Sequence, residues 1–384
     1  MWPFGQNRYT IIMAGIYIHI PYCHSKCAYC DFYSIPSHKS EPALISDAII
    51  QEWDYRKNEI TEPVETIYIG GGTPSCIPSQ HISDILAQLP VTGCKEVTIE
   101  VNPEDVTPDL ICRYVDAGVN RVSMGIQSLI DGELEYVGRR HTASQALEAI
   151  DIIRRAGINN ISCDLIFGLP GQDIDTWKHS LTVLTDKHPE HISAYMLSYE
   201  PGTRLHARLS SGKIVPSSEE LLECMYGMLC AHMKESGYLH YEISNFSLPG
   251  FRSVHNSNYW KDMQYLGLGP SAVSFDGRSV RRTNLSDIRK YIKDIQNGGA
   301  LAMVEHETTV DRVNDALLVG LRTMSGVNID SLSQAYGDTY ARSIMNAADS
   351  FLQRGLLILR DGSLIVPESE WMVCDMIIRE LFVS

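Results

Sequence analysis

The sequence lacks long apolar runs, an excess of positive charge, and tracts of biased composition. Its 384 residues include 32 Lys and Arg against 47 Asp and Glu, a formal net charge of -15, which argues against broad binding to a nucleic-acid backbone. The apolar segment YTIIMAGIYIHI (9–20) is too short to cross a bilayer. We interpret it as a first strand behind an N-terminal extension of residues 1–12, since Met13 can serve as the start.

Secretory features are missing as well, although the chain has ten cysteines. Cysteines scattered over a long chain of this kind predict reduced thiols and a cytoplasmic protein. Three of them are close together in CHSKCAYC (23–30), and no fourth one follows nearby. Such a loop can hold a single zinc ion with His19 or His24 as the fourth ligand. It can also hold a 4Fe-4S cluster in which one iron keeps an open coordination position.

Short β-rich runs alternate with amphipathic helical stretches in the first half of the chain. The predicted strands are 15–20, 66–71, 96–101, 121–126, 161–168 and 191–197, and the predicted helices include 42–58, 78–89, 107–117, 142–156 and 174–186. This alternation predicts an α/β fold with a parallel sheet and crossover helices. Polar residues stand at the carboxyl ends of the strands, where barrels build their sites. We therefore expect an incomplete (β/α)6 TIM-type barrel over residues 13–210, with a doubly wound open sheet as the alternative.

The second half of the chain has a different pattern. Residues 211–300 are predicted to be a connecting segment that begins with a helix at 217–236 and then becomes rich in aromatic residues, glycine and serine. Residues 301–384 contain helices followed by RGLLILRDGSLIVPE, which reads as two short strands around an Asp-Gly turn. This pattern predicts a smaller C-terminal α+β domain that is winged-helix-like.

Glycines and hydrogen-bonding side chains gather at the predicted strand ends. The run GGGTPS (70–75) ends the second strand and lets a ligand approach backbone N–H and C=O groups closely. Later strand ends supply Glu100, Asn102, Gln127, Arg139, Arg140 and Asp164. Each of these could be a structural cap or an ion pair. Their occurrence at successive strand ends instead favours one shared ligand cavity.

The motif CHSKCAYC resembles the cluster loop of the radical S-adenosylmethionine (SAM) superfamily. This resemblance implies that Cys23, Cys27 and Cys30 hold a 4Fe-4S cluster, with the open iron chelated by the amino and carboxylate groups of SAM. Reductive cleavage of SAM in that superfamily can yield a 5′-deoxyadenosyl radical. The run GGGTPS is similar to the superfamily's loop for the methionyl amino group of SAM.

Further segments narrow the resemblance to a subgroup that contains oxygen-independent coproporphyrinogen III dehydrogenases and heme chaperones. The segments are GIYIHIPYC, IYIGGGTPS, TIEVNPE, RVSMGIQS, DLIFGLPGQ and, in the C-terminal part, LLVGLRTMSGV. The likeness implies a set of SAM contacts: Tyr17, Tyr29, Gly71, Gly72, Thr73, Glu100, Gln127, Arg139 and Asp164. The two tyrosines can equally be packing residues.

Two features distinguish members of this subgroup. The dehydrogenases carry a fourth cysteine two residues after the last cluster ligand and a long N-terminal arm. This chain has Phe32 at that position, and 22 residues precede Cys23. The heme chaperones are marked by an HNxxYW motif, and this chain has HNSNYW at 255–260. Both features favour the chaperones.

A neutral imidazole is a common heme-iron ligand, and tyrosine and tryptophan rings offer apolar faces to a porphyrin. We therefore interpret His255 as the candidate heme ligand, oriented by Asn256, with Tyr259 and Trp260 shaping the pocket. A hydrogen-bonded structural corner is the alternative for these residues. Three other side chains could also bind metal: His141, Cys224 and Cys230. We interpret that histidine as a loop cap and the two cysteines as helix packing.

The resemblance implies a chaperone that takes up heme and delivers it to acceptor hemoproteins such as respiratory-chain cytochromes. It also implies a possible homodimer, no nucleic-acid partner, and at most peripheral contact with a membrane. Radical decarboxylation of coproporphyrinogen III is the enzymatic alternative. A zinc-stabilised scaffold is a third interpretation, and whether the cluster performs radical chemistry or regulates transfer is left open.

Overall fold

The structure is a computed structural model that describes residues 13–37, 41–259, 263–299 and 301–384. In its first half, parallel strands alternate with helices. The strands are β1 (Ala14–Ile20), β2 (Tyr22–Cys23), β3 (Ile35–Pro36), β4 (Val64–Gly71), β5 (Glu96–Val101), β6 (Arg121–Gln127), β7 (Ile161–Phe167) and β8 (His191–Met196). The helices are α1 (Pro42–Arg56), α2 (Ser79–Gln88), α3 (Pro108–Asp116), α4 (Asp131–Val137), α5 (Ala143–Arg155) and α6 (Ile174–Thr185). Strands β1, β4, β5, β6, β7 and β8 pair in parallel in that order, which confirms the predicted partial barrel.

Each barrel strand separates an apolar face from a polar one, because successive side chains point to opposite sides of a strand. In β4, Ile67 and Ile69 belong to the buried apolar core with side chains of the surrounding helices. Thr66 and Tyr68 alternate with them and form hydrogen bonds inside the barrel. The interior of this barrel is therefore polar, and its main apolar core lies between the strands and the helices.

The sheet extends beyond the barrel into the segment that the sequence predicted to be a connection. The elements there are α7 (Arg204–Ser210), α8 (Glu219–Glu235), β9 (Leu239–Glu242), β10 (Asn245–Ser247), α9 (Val254–Tyr259), β11 (Tyr265–Leu268), β12 (Val273–Phe275), β13 (Val280–Asn284), α10 (Ile288–Gln296) and β14 (Ala302–His306). Within the described residues, twelve strands form one sheet in the order β14-β13-β12-β11-β1-β4-β5-β6-β7-β8-β10-β9. The division of the chain at residues 210 and 300 stays a prediction, and the sheet includes strands from both sides of each point.

The C-terminal part forms the smaller α+β domain that the sequence predicted. Its elements are α11 (Thr309–Gly320), β15 (Val327–Asn328), α12 (Ile329–Tyr336), α13 (Asp338–Gln353), β16 (Ile358–Arg360), β17 (Ser363–Ile365), a 3-10 helix (Glu368–Val373) and α14 (Cys374–Leu381). The three strands pair in the order β15-β17-β16. Asp361 and Gly362 both have positive φ, 51° and 76°, as a two-residue hairpin turn requires.

A buried ion pair ties α1 to the strands added at the β11 side of the sheet. Arg56 Nη1 donates to Glu52 Oε1 at 2.7 Å, and Arg56 Nη2 donates to Ser274 Oγ at 2.9 Å. The other Glu52 oxygen accepts from the Tyr291 hydroxyl at 2.7 Å and from the Gly269 N–H at 2.8 Å. Both charged side chains are almost fully buried, so each depends on the other for compensation.

Replacing Arg56 with Met should lower the free energy of unfolding by about 3–5 kcal/mol, because the Glu52 carboxylate then remains buried without its cation. The control is Lys57→Met, which removes an exposed ion pair with Asp54 and should cost less than about 1 kcal/mol. Urea unfolding followed by circular dichroism measures both changes. Equal losses in the two variants would contradict this account of the network.

Candidate functional site

The three clustered cysteines lie beyond the carboxyl end of β1, at one mouth of the barrel. Cys23 is buried at the end of β2, where the Thr73 hydroxyl donates to its Sγ at 3.5 Å. Arg139 Nη1 lies 3.6 Å from Cys27 Sγ. Burial raises the pKa of the Cys30 thiol to about 11. A metal centre bound here must therefore displace thiol protons, with Arg139 offsetting the resulting negative charge.

The two histidines considered as fourth zinc ligands are both engaged elsewhere. His19 Nε2 donates to the Tyr33 carbonyl at 2.9 Å, and its Nδ1 is 3.0 Å from the Tyr17 hydroxyl. His24 Nε2 lies 3.2 Å from Asp105. Within the described ranges, the three cysteine sulfurs do not all come within 4.8 Å of one another. With both histidines bonded to other groups, the loop offers three thiol ligands, the number that a 4Fe-4S cluster with one open iron requires.

The predicted strand-end residues line one cavity together with the cysteine loop. The lining includes Tyr17, Cys23, Cys27, Tyr29, Cys30, Gly71, Gly72, Thr73, Glu100, Asn102, Gln127, Arg139 and Asp164. All nine residues predicted to contact SAM are in this set. Their specific contacts with SAM stay a prediction. The structure does bring these residues together at the carboxyl ends of the strands, as expected.

Two glycines beside this cavity, Gly71 and Gly72, occupy positions where a side chain does not fit. A Cβ atom on Gly72 would lie 2.5 Å from the Tyr22 carbonyl oxygen, and Gly71 has a φ of 108° that disfavours other residues. Gln127 has a φ of 71°, which is strained for a residue with a side chain. Arg139 Nε is buried without a hydrogen-bond partner. Strain and an unsatisfied donor at one cavity fit a site that is completed by a ligand.

Two buried carboxyl groups give the cavity its electrostatic character. Glu100 accepts from the Tyr68 hydroxyl at 2.7 Å and from the Gly71 N–H at 3.2 Å. Burial raises the pKa of Glu100 to about 7 and that of Asp164 to about 6. The negative charge of Asp164 also contributes to the raised pKa of Glu100. A cationic group in the cavity would relieve both carboxylates. SAM carries such groups, an ammonium and a sulfonium, so the residues present fit it.

His255 lies at the opposite, amino-terminal end of the barrel strands. Its Nδ1 is 2.8 Å from Thr66 Oγ1 near the start of β4, and its ring stacks on Tyr68 with a centroid distance of 5.1 Å. The side chain is only 2% exposed. Burial lowers the pKa of His255 to about 3, so the imidazole is neutral. The structure therefore does not bring His255 together with the cysteine loop.

Glu96 anchors the helix that carries His255, and sequence reasoning did not identify it. Its carboxylate accepts from the backbone N–H groups of Val254 and His255, both at 2.9 Å. Glu96 and Glu100 are four residues apart on β5, so they share its inner face. That even spacing was a signal in the sequence for two interior carboxylates. Trp260 and the Tyr259 side chain lie outside the described part of the chain, so their predicted roles are untested.

Comparisons with known proteins agree with these sequence motifs. The family model of the radical SAM superfamily matches residues 17–184. A protein of Bacillus subtilis named heme chaperone HemW is 33% identical over 90% of this chain and 93% of its own length. The Escherichia coli protein of the same name is 34% identical over 73% of this chain and 75% of its own length.

Among solved structures, Escherichia coli coproporphyrinogen III oxidase (HemN), described as a radical SAM enzyme, superimposes with a TM-score of 0.84. The match covers 98% of this chain and 92% of that one at 20% sequence identity, so it establishes a common fold. The two proteins named heme chaperone HemW are more similar to this chain in sequence than that structure is, and their matches cover 93% and 75% of their own lengths. The chain accordingly belongs to the heme chaperone HemW family of the radical SAM superfamily.

Proposed function

We propose that this protein is a heme chaperone, which binds a 4Fe-4S cluster, SAM and heme and passes the heme to acceptor hemoproteins. The observation that carries the proposal is the similarity over most of the chain to proteins named heme chaperone HemW. HNSNYW at 255–260 and Phe32 in place of a fourth cysteine support it from the sequence. The acceptors proposed are respiratory-chain cytochromes, reached by a cytoplasmic protein that can form a homodimer.

The cluster is proposed to be held by Cys23, Cys27 and Cys30. Three thiolates leave one iron open, and in the radical SAM superfamily that iron binds SAM and supplies the electron that cleaves it. Arg139 balances the thiolate charge, since its guanidinium reaches Cys27 Sγ, the Asn102 side chain and the Gly125 carbonyl. These contacts hold the guanidinium in place before any ligand is bound.

SAM is proposed to occupy the adjoining cavity. The glycine run offers backbone groups, Glu100 and Asp164 offer carboxylates for its positive charges, and Gln127 offers an amide at the cavity wall. Tyr17, Tyr29, Gly71, Gly72 and Thr73 complete the predicted contact surface. The role of these residues is to bind and orient SAM against the cluster, whether SAM is cleaved or regulates heme transfer.

Heme is proposed to bind at the HNSNYW segment, with His255 as the candidate ligand of the iron. The neutral imidazole has the protonation state that iron coordination requires. Its burial against Thr66 and Tyr68 means that direct coordination needs α9 to move away from the barrel. Heme uptake would then compete with the contacts between Glu96 and the start of α9.

No helix in the described ranges is both long and apolar enough to cross a membrane. As the resemblance implies, contact with respiratory-chain acceptors is proposed to involve at most peripheral association with a membrane. The alternative function is oxygen-independent oxidation of coproporphyrinogen III, which would use the same cluster and SAM pocket. An anaerobic assay with reductant, SAM and coproporphyrinogen III distinguishes the two, because a chaperone forms no protoporphyrinogen.

Replacing Cys27 with Ala should abolish the brown 4Fe-4S absorbance after anaerobic reconstitution, because two thiolates cannot hold the cluster stably. The matched control is Cys112→Ala, which removes an exposed cysteine of α3 and should leave iron content and absorbance unchanged. Iron analysis together with the visible spectrum measures the effect. An unaltered spectrum in the Cys27 variant would exclude this loop as the cluster site.

SAM affinity should fall as the pH decreases below about 7, because Glu100 and then Asp164 become protonated and lose their attraction for a cation. Each pH unit below the pKa of a required carboxylate costs up to about ten-fold in affinity. Calorimetric titration of the reconstituted protein between pH 6 and 8 measures the change. Glu100→Gln should remove the part of the affinity loss that begins near pH 7. The control Glu148→Gln, at an exposed position, should leave the pH profile unchanged. A flat profile in the parent protein would oppose the proposal.

His255→Ala should weaken heme binding by at least about ten-fold in a titration followed at the Soret band, if the imidazole binds the iron. The control is His179→Ala, which changes an exposed histidine of α6 and should leave the affinity unchanged. Circular dichroism of both variants reports whether the barrel end remains folded. Equal heme affinity in a folded His255 variant would remove this residue as the ligand.

A further inference from the structure

A second group of metal-ligating side chains lies between the barrel sheet and the C-terminal domain. Cys230 is on α8, His240 is on β9, and Glu368 begins the 3-10 helix of the C-terminal domain. Their ligand atoms all lie within 4.8 Å of one another. His240 Nδ1 is 2.7 Å from Glu368 Oε1 and 3.8 Å from Cys230 Sγ. Three different elements thus direct a thiol, an imidazole and a carboxylate to one point.

The His240 ring is held firmly with Nδ1 directed at this point. It stacks on Phe246 with a centroid distance of 3.9 Å and an interplanar angle of 17°, and the Trp371 ring lies nearly perpendicular to it with a centroid distance of 4.3 Å. On the other side of the ring, Nε2 lies 3.4 Å from the Ile243 carbonyl. A backbone carbonyl behind the second nitrogen is the usual support of a metal-binding histidine, because it keeps the proton away from the ligating nitrogen.

The hydrogen-bond pattern at His240 has one more acceptor than a neutral imidazole can serve. With the proton on Nε2, donated to Ile243, the Nδ1 lone pair faces the Glu368 carboxylate. A neutral ring carries one N–H and cannot donate to the Ile243 carbonyl and to the Glu368 carboxylate at the same time. A metal cation between Nδ1 and Glu368 would satisfy both groups at once.

We propose that Cys230, His240 and Glu368 bind one divalent transition-metal ion, zinc by preference, which connects the barrel to the C-terminal domain. Zinc suits a mixed set of thiolate, imidazole and carboxylate ligands, with water in the fourth position. Binding replaces the thiol proton of Cys230, which leaves to solvent. Glu368 is 53% exposed, so the ion has a path of entry.

The observed spacings are close to those that tetrahedral zinc needs. Ideal bond lengths place a ligating sulfur and nitrogen about 3.5 Å apart, against 3.8 Å between Cys230 and His240 here. A ligating nitrogen and oxygen are about 3.3 Å apart, so the Glu368 carboxylate must retreat slightly from 2.7 Å. An exposed glutamate can make that adjustment without a backbone change.

This site differs from the pair that the sequence suggested. Cys224 and Cys230 are six residues apart on α8, but Cys224 is exposed and is not part of the group. The second and third ligands come from residues 10 and 138 positions further along the chain. No local spacing rule connects them, and the C-terminal domain must be docked before Glu368 arrives.

The test uses the full-length protein with its cluster reconstituted anaerobically, so that the cysteine loop is occupied by iron. After dialysis against zinc and removal of loosely bound ions, elemental analysis should find one zinc per chain in addition to the cluster iron. Cys230→Ser should lose the zinc and keep the iron, which also reports that the barrel remains folded. The matched control Cys224→Ser should keep both metals.

A second pair of variants examines the carboxylate. Glu368→Gln should weaken zinc binding by about 10- to 100-fold in a competition titration with a chelator, whereas Glu370→Gln, in the same 3-10 helix, should not. Cobalt in place of zinc should show a thiolate charge-transfer band that is absent in Cys230→Ser. No bound zinc in the parent protein, or equal zinc content in Cys230→Ser, would overturn the proposal.

Discussion

The Tyr68 side chain reaches through the barrel interior and contacts both ends that carry the sequence motifs. Its hydroxyl donates to Glu100 in the cavity beside the cysteine loop, and its ring stacks on His255 at the other end. Burial of the Glu100 carboxyl requires a donor, and burial of His255 requires a neutral ring against an apolar face. One phenol meets both requirements. The Tyr68 side chain therefore lies between the cavity beside the cysteine loop and the buried imidazole.

This arrangement is possible because the barrel is polar inside. An ordinary (β/α)8 barrel fills its centre with branched apolar side chains. Here the inner faces carry groups such as Thr66, Glu100 and Asp164, while the apolar faces of the same strands pack against the helices. Hydrogen bonds, more than apolar packing, hold the side chains inside the barrel in fixed positions. Ligand sites can then exist at both ends without a hydrophobic plug between them.

The barrel strands were predictable because each is a short apolar run with polar residues at its carboxyl end. The shared cavity beside the cysteine loop was predictable as well, because parallel strands bring their carboxyl ends, and the polar residues there, to one side of the sheet. The strands β9 to β14 were missed because they are short, with three to five residues each. Most of them pair with the next strand along the chain, but β10 joins β8 and β11 joins β1, and these distant pairings left no local pattern. The position of His255 was missed for a related reason: its contacts with Thr66 and Glu96 span more than 150 residues. Only the folded sheet brings them together.

The central proposal is that the protein transfers heme and does not oxidise a porphyrinogen. The most direct measurement loads the reconstituted protein with heme and SAM, adds an apo-cytochrome, and separates the two proteins before heme is quantified on each. The same preparation is assayed in parallel for coproporphyrinogen III oxidation. The account predicts heme on the cytochrome at a rate above that of free heme, and no protoporphyrinogen. Porphyrinogen turnover without heme transfer would contradict it.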